Sequence, residues 1–141
     1  MTAEELWRKS GLQGRYEAWA FGGAPDKLAD LVRKGIKTAT CSACVLYELE
    51  KEEIPKEGDY SVILDSNENA LCIIRTNRVY IESFDKVSAE HAFKEGEGDR
   101  SLAYWRDVHR EFFTEELKPF GLEFDEKMKL VCEEFEVVYD E

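Results

Sequence analysis

Apolar positions recur along the chain with two periods, and the switches between them predict short helices alternating with short strands. Leu6 and Trp7 open an apolar face just after Thr2 and Glu5, whose spacing fits a capping box. A short helix is therefore expected to about Lys9, stopped near Gly11. Residues 15–21 (RYEAWAF) are aromatic-rich and roughly alternating, as in an extended segment, and Gly22-Gly23 breaks them. Pro25 suits the first turn of a helix that carries Leu28, Leu31 and Val32 on one face. Gly35 marks its end, with Arg33 and Lys34 in the last turn, so Lys37 is expected to emerge from a helix C-terminus.

Residues 43–54 read as a short helix and 55–60 (PKEGDY) as a turn. A strand from Tyr60 to Asp65, a turn at 66–69 (SNEN) and a partner strand from Ala70 to about Val79 follow. The β-character runs on to Phe84, which predicts a bend or bulge in that long stretch. Ser88 caps a short helix through Lys94, and 95–99 (EGEGD) is a loop. A long helix is expected from Ser101 to Leu117, with Leu102, Trp105, His109, Phe112 and Phe113 as its stripe, ended by Pro119 and Gly121. Residues 130–139 form the last strand, with Val131, Phe135, Val137 and Tyr139 on one face. Short strands set off by turns and helices favour an α+β fold. The expected form is an antiparallel or mixed sheet curled into a small barrel flanked by helices, in one domain over residues 1–141.

At 141 residues with 43% hydrophobic content, the chain can build its own core without a metal or disulfide. No apolar run approaches the roughly 18 residues of a membrane span, and the N-terminus lacks a secretory pattern. Four cysteines without an export signal point to reduced thiols and a cytoplasmic location. The net charge of -12 opposes tight binding to long phosphate backbones. That charge is uneven, because residues 1–40 hold seven Lys/Arg against five acids.

The stretch 35–44 (GIKTATCSAC) holds two candidate chemistries. Cys41 and Cys44 form a Cys-x-x-Cys pair, but Cys72, Cys132, His91 and His109 supply no second close-spaced ligand pair. A structural role for the cysteines and no metal or cofactor are therefore expected. Lys37 and Thr40 are the alternative. A threonine hydroxyl becomes a nucleophile when a base takes its proton, and a lysine serves only if it can shed its own. Positions i and i+3 of a strand point to opposite faces, so the pair can share a pocket only if the chain turns near Lys37. Glu95, Glu97 and Asp99 read either as ligands for a cation or substrate, or as an acidic connector in which Asp99 helps cap the next helix. His109, on the apolar stripe, reads as a satisfied core histidine, and His91 lies near the acidic loop.

The run 35–40 (GIKTAT) resembles the Gly-x-Lys-x-x-Thr core of the ASCH domain family, part of the PUA-like superfamily. Residues 19–22 (WAFG), 55–59 (PKEGD), 95–113 (EGEGDRSLAYWRDVHREFF) and 132–138 (CEEFEVV) resemble one bacterial subgroup of that family, in the same order. The resemblance implies a small β-barrel with a pocket at the core motif, and a role tied to RNA, nucleosides or translation. One branch hydrolyses the amide of N4-acetylcytidine with a lysine, a threonine and a glutamate. Lys37 and Thr40 match the first two, and 91–95 (HAFKE) puts Glu95 at the third. Where the wider family often has arginine, this chain has Ser42, with Arg106 as a candidate replacement in space.

The expected function is hydrolysis of an N4-acylated cytosine nucleoside. Thr40 would attack, Lys37 would accept its proton, and Glu95 would orient the lysine or pass a proton to the leaving amine. Trp19, Phe21 or Trp105 would stack on the base, with Glu97 or Asp99 accepting hydrogen bonds from base or ribose. An uncharged nucleoside suits the acidic chain. The alternatives are a non-catalytic RNA- or nucleotide-binding module and, disfavoured by charge and by Ser42, a ribonuclease. No membrane partner is expected, and the sequence leaves the oligomeric state open.

Overall fold

A computed structural model describes residues 1–140. The elements in chain order are α1 (Ala3–Ser10), β1 (Tyr16–Trp19), α2 (Pro25–Arg33), β2 (Ala39–Ala43), α3 (Cys44–Leu49), β3 (Tyr60–Leu64), β4 (Ala70–Ser83), α4 (Ala89–Glu95), α5 (Leu102–Leu117) and β5 (Lys129–Asp140). The expected caps at Thr2 and Ser88 are present, accepting from the Glu5 and His91 amides. Helix α5 is capped by Ser101, which accepts from the Tyr104 amide, where the sequence pointed to Asp99. Among the described residues no helix is long and apolar enough to cross a membrane.

The strands form one mixed sheet in the order β1-β3-β4-β5-β2, with β1 parallel to β3 and the other pairs antiparallel. The class is α+β, as the sequence predicts. The sheet has no hydrogen-bonded closure between its edge strands β1 and β2, and residues flanking those strands meet through their side chains. Phe21, just past β1, has its ring 5.4 Å from the Lys37 ammonium, just ahead of β2. Register shifts at Ile73/Ile74 and Thr76/Arg78 supply the bend expected in β4.

Three apolar clusters hold the layers. Leu6 of α1 packs on Val62 and Ile73. An eight-residue helix does not persist alone, and burying one leucine contributes about 1.5–3 kcal/mol toward docking it. Ala29 and Val32 of α2 sit against Ile63, Ile74 and Phe135. Ala92 of α4, with Trp105 and Phe113 of α5, packs on Leu130, Cys132 and Ala43.

Three sequence readings change. Strand β2 was not expected, because Ala-Thr-Cys-Ser-Ala carries neither β-branched runs nor alternation. Pairing with β5, Thr40 opposite Glu133 and Cys41 opposite Cys132, creates it. Helix α3 ends at Leu49 instead of Ile54. Lys51 turns to φ 55, and the acidic residues beyond Leu49 are exposed, with no face to bury. Tyr139 leaves the face of Val137, because the shift at Ile73/Ile74 sets it opposite Ile73 and into the α1 cluster.

Candidate active site

Helix α2 ends at Arg33, and Gly35, with φ 76°, reverses the chain so that the amides of Ile36 and Lys37 both donate to the Leu31 carbonyl. The extended piece that follows is clamped. The Thr38 amide donates to the Lys94 carbonyl, and the Thr38 carbonyl accepts from the Phe135 amide. Lys37 therefore points inward and is only 2% exposed. Its Nζ donates to Glu95 Oε1 at 3.1 Å and to Glu97 Oε2 at 3.2 Å.

Glu95, the last residue of α4, is 1% exposed and fully engaged. Its Oε2 accepts from Trp105 Nε1 and His91 Nε2, both at 2.8 Å, and its Oε1 also faces His109 Nε2 at 3.5 Å. With Nε2 donating, His91 Nδ1 is left to accept from the Tyr80 hydroxyl at 3.1 Å. His109 has acceptors at both nitrogens, since Nδ1 donates to the Trp105 carbonyl at 2.8 Å. Its ring stacks on Trp105 at 4.4 Å.

The electrostatics follow from these contacts. Burial pushes the Lys37 pKa down, but the charges of Glu95 and Glu97 outweigh it and hold the ammonium above its ordinary value. Burial likewise favours protonated Glu95, yet Lys37 and the two histidines hold its carboxyl well below the usual range. Burial opposes charge on His109, and its contacts to Glu95 raise it overall. Replacing such a buried ion pair with apolar residues of similar volume is often neutral or stabilising by about 1–4 kcal/mol. Stability alone therefore does not account for the cluster, and buried, charge-coupled groups facing a cavity make it the candidate functional site.

That cavity holds about 250 Å³. It is lined by Phe21 and the turn at 22–24, by Lys37, Thr40 and Cys41, by Glu95, Glu97 and Gly98, and by Tyr104, Val108, His109 and Phe112 of α5. Thr40 and Cys41 are consecutive, yet both line it. Successive strand residues do so where a cavity runs along an edge rather than over one face. Lys37 precedes β2, just after the reversal at Gly35, so it and Thr40 reach one cavity despite their odd spacing. No hydrogen bond joins the two among the described residues.

Lys37, Thr40, Glu95, Phe21 and Glu97 thus share the cavity, while Trp19, Asp99 and Arg106 do not line it. Trp19 packs edge-on against Phe21 at 4.8 Å within the α2 cluster. Asp99 is exposed and accepts from the Ser101 amide, the connector role. Arg106 points to the far side of α5, where Nη2 donates to the carbonyls of Asp85 at 3.0 Å and Val87 at 3.4 Å. It does not stand in for the cation missing at Ser42, which itself bonds the Tyr47 hydroxyl at 2.7 Å. Trp105 is 2% exposed and holds Glu95, so it offers no stacking face.

Sequence reasoning missed His91 and His109 as partners of Glu95. The i, i+4 spacing of His91 to Glu95 was the available signal. His109 could be found only through the packing of α5 on α4. Glu95, Glu97 and His109 also place ligand atoms within 4.8 Å of one another, as would suit a metal. The Lys37 ammonium already bonds both carboxylates and supplies the cation there. The four cysteines are free thiols; Cys72 and Cys132 are core residues, and burial pushes the Cys41 thiol well up.

A second perturbed acid lies at Glu133, opposite Thr40 in the register and bonded by the Thr76 hydroxyl at 3.3 Å. Burial, with Asp59 and Glu17 nearby, pushes it up to about 7. The unfolded value is about 4.3, so the folded state binds the proton more tightly and loses stability as pH rises from about 4.3 to 7. Glu133→Gln is expected to stabilise the protein by about 1–3 kcal/mol at pH 8 and by little near pH 4. Urea denaturation at both pH values checks this, and an equal effect at both would refute it.

Comparison with known proteins places this geometry. The ASCH domain family model matches residues 17–139. The chain is similar to the crystal structure of an ASCH domain from Lactobacillus crispatus JV V101, at TM-score 0.91 and 32% identity, over 96% of this chain and 93% of that one. It is also similar to a protein from Enterococcus faecalis V583, at TM-score 0.87 and 41% identity, over 97% of this chain and 85% of that one. No curated protein matches. From the fold, the cavity at the Gly-x-Lys-x-x-Thr motif and the family match over residues 17–139, the chain belongs to the ASCH domain family.

Proposed function

We propose that the cavity hydrolyses the amide of an N4-acylated cytosine nucleoside. The observation that carries this reading is the Lys37 ammonium buried between Glu95 and Glu97 in a cavity that Thr40 also lines. In the resting state Lys37 is charged and cannot act as a base. Glu97, with 19% of its side chain exposed, is the more accessible of its two partners and the natural temporary acceptor for the lysine proton. A substrate that displaces water disfavours the separated charges and favours the neutral amine–acid pair.

The neutral amine of Lys37 then takes the Thr40 proton as Oγ1 forms a bond to the acyl carbon. As the tetrahedral species collapses, the C–N bond breaks and the Glu97 proton goes to the exocyclic nitrogen. Cytosine nucleoside leaves, and the acyl group stays on Thr40. Water then attacks the ester, Glu97 accepts its proton, Lys37 returns the threonine proton, and Glu97 finally passes its proton to the Lys37 amine. The products are the free acid and the regenerated ion pair. Glu95, saturated by its donors, keeps Lys37 in place and exchanges no proton.

The test is incubation of the protein with N4-acetylcytidine and chromatographic separation of cytidine from substrate. Stoichiometrically balanced acetate and cytidine are expected. Binding without turnover would overturn hydrolysis in favour of a binding module.

A further inference from the structure

Helix α5 presents Tyr104, Val108 and Phe112 to the cavity at i, i+4 and i+8. A loop glycine lies against each end of this stripe. A Cβ on Gly22 would come within 2.9 Å of the Phe112 ring, and one on Gly98 would lie 2.4–2.5 Å from the Tyr104 ring. Gly98 also has φ +59, so any side chain there is strained as well as blocked. The backbone at Gly98 therefore serves as a flat bed for the tyrosine.

The cavity's other aromatic residues are committed. Phe21 is buried beside the Lys37 ammonium. Phe112 packs edge-on against Phe113 at 5.5 Å. Tyr104 lines the cavity and is 36% exposed. A planar ligand entering toward Lys37 and Thr40 meets this ring.

We infer that Tyr104, bedded on Gly98, is the stacking platform that selects a planar nucleobase in this cavity. The inference rests on the nucleoside reading of the site and adds the residue that makes the selection. Stacking uses the face of the ring, so the phenolic hydroxyl is dispensable and the aromatic ring is not.

Binding of N4-acetylcytidine is measured by calorimetry in the Thr40→Ala background, where turnover does not interfere. Tyr104→Ala is expected to weaken binding by about tenfold or more, as loss of a base-stacking ring does. Tyr104→Phe should restore most of the affinity, and Gly98→Ala should weaken binding with the tyrosine still present. In the hydrolysing protein the Tyr104→Ala effect should fall on KM more than on kcat. If the Thr40→Ala protein binds N4-acetylcytidine and Tyr104→Ala binds it equally well, the platform is overturned while the nucleoside reading stands. If Tyr104→Phe loses as much affinity as Tyr104→Ala, the hydroxyl is the contact and stacking is overturned. If the folded Thr40→Ala protein and the wild type bind neither N4-acetylcytidine nor cytidine, the nucleoside reading falls and takes the platform with it.

Discussion

On the proposed mechanism, Thr40→Ala is expected to lower kcat for N4-acetylcytidine hydrolysis by about 10³-fold or more and to leave the protein folded. Loss of an attacking hydroxyl removes the covalent route, and only positioning and electrostatic stabilisation remain. The stability cost should be small, within about 1 kcal/mol, because Thr40 is half-buried on an edge strand whose backbone pairing with β5 is kept. Thr40→Ser keeps the nucleophile and should retain measurable turnover. Steady-state rates and a denaturation midpoint, measured on the same preparations, separate chemistry from folding. Turnover unchanged in Thr40→Ala would remove that residue from the mechanism.

Glu95→Ala is expected to destabilise the fold by about 3–5 kcal/mol, the cost of breaking a buried ion pair from one side. Of its two carboxylate partners Lys37 keeps only the more exposed Glu97, and Trp105 Nε1 and His91 Nε2 lose their acceptor. Against a total of about 5–15 kcal/mol for a domain, this is enough to leave the variant marginal. Removing both charges, as in Lys37→Met with Glu95→Leu, should cost less than the sum of the single changes.

The pH dependence of Glu95 has a definite sign. Its folded pKa is depressed, so its contribution is present above the unfolded value of about 4.3 and is lost as pH falls through the lower folded value. The Glu95→Ala deficit should therefore be full at pH 7 and shrink in strong acid. A guanidinium denaturation series over pH checks it. Equal midpoints for Glu95→Ala and wild type at pH 7 would dismiss the buried-pair account.

Periodicity and punctuation in the sequence determined most of the architecture. The helix caps at Thr2 and Ser88, the break at Gly35, the 66–69 turn and the long apolar stripe of α5 were all legible, because each depends on near neighbours in the chain. So were the residues of the Gly-x-Lys-x-x-Thr motif and Glu95, through the family resemblance. Tertiary structure alone decided β2, whose weak local preference is overruled by pairing with β5. It also decided which acids meet Lys37: Glu95 and Glu97 do, and Asp99 does not. The state of Lys37 was the least legible feature. A lysine after a helix end reads as a surface charge, and here the packing of α4 and α5 against β2 encloses it with two carboxylates. Its protonation is set by the balance of burial against charges some sixty positions away in sequence, a balance that exists only once the chain has folded.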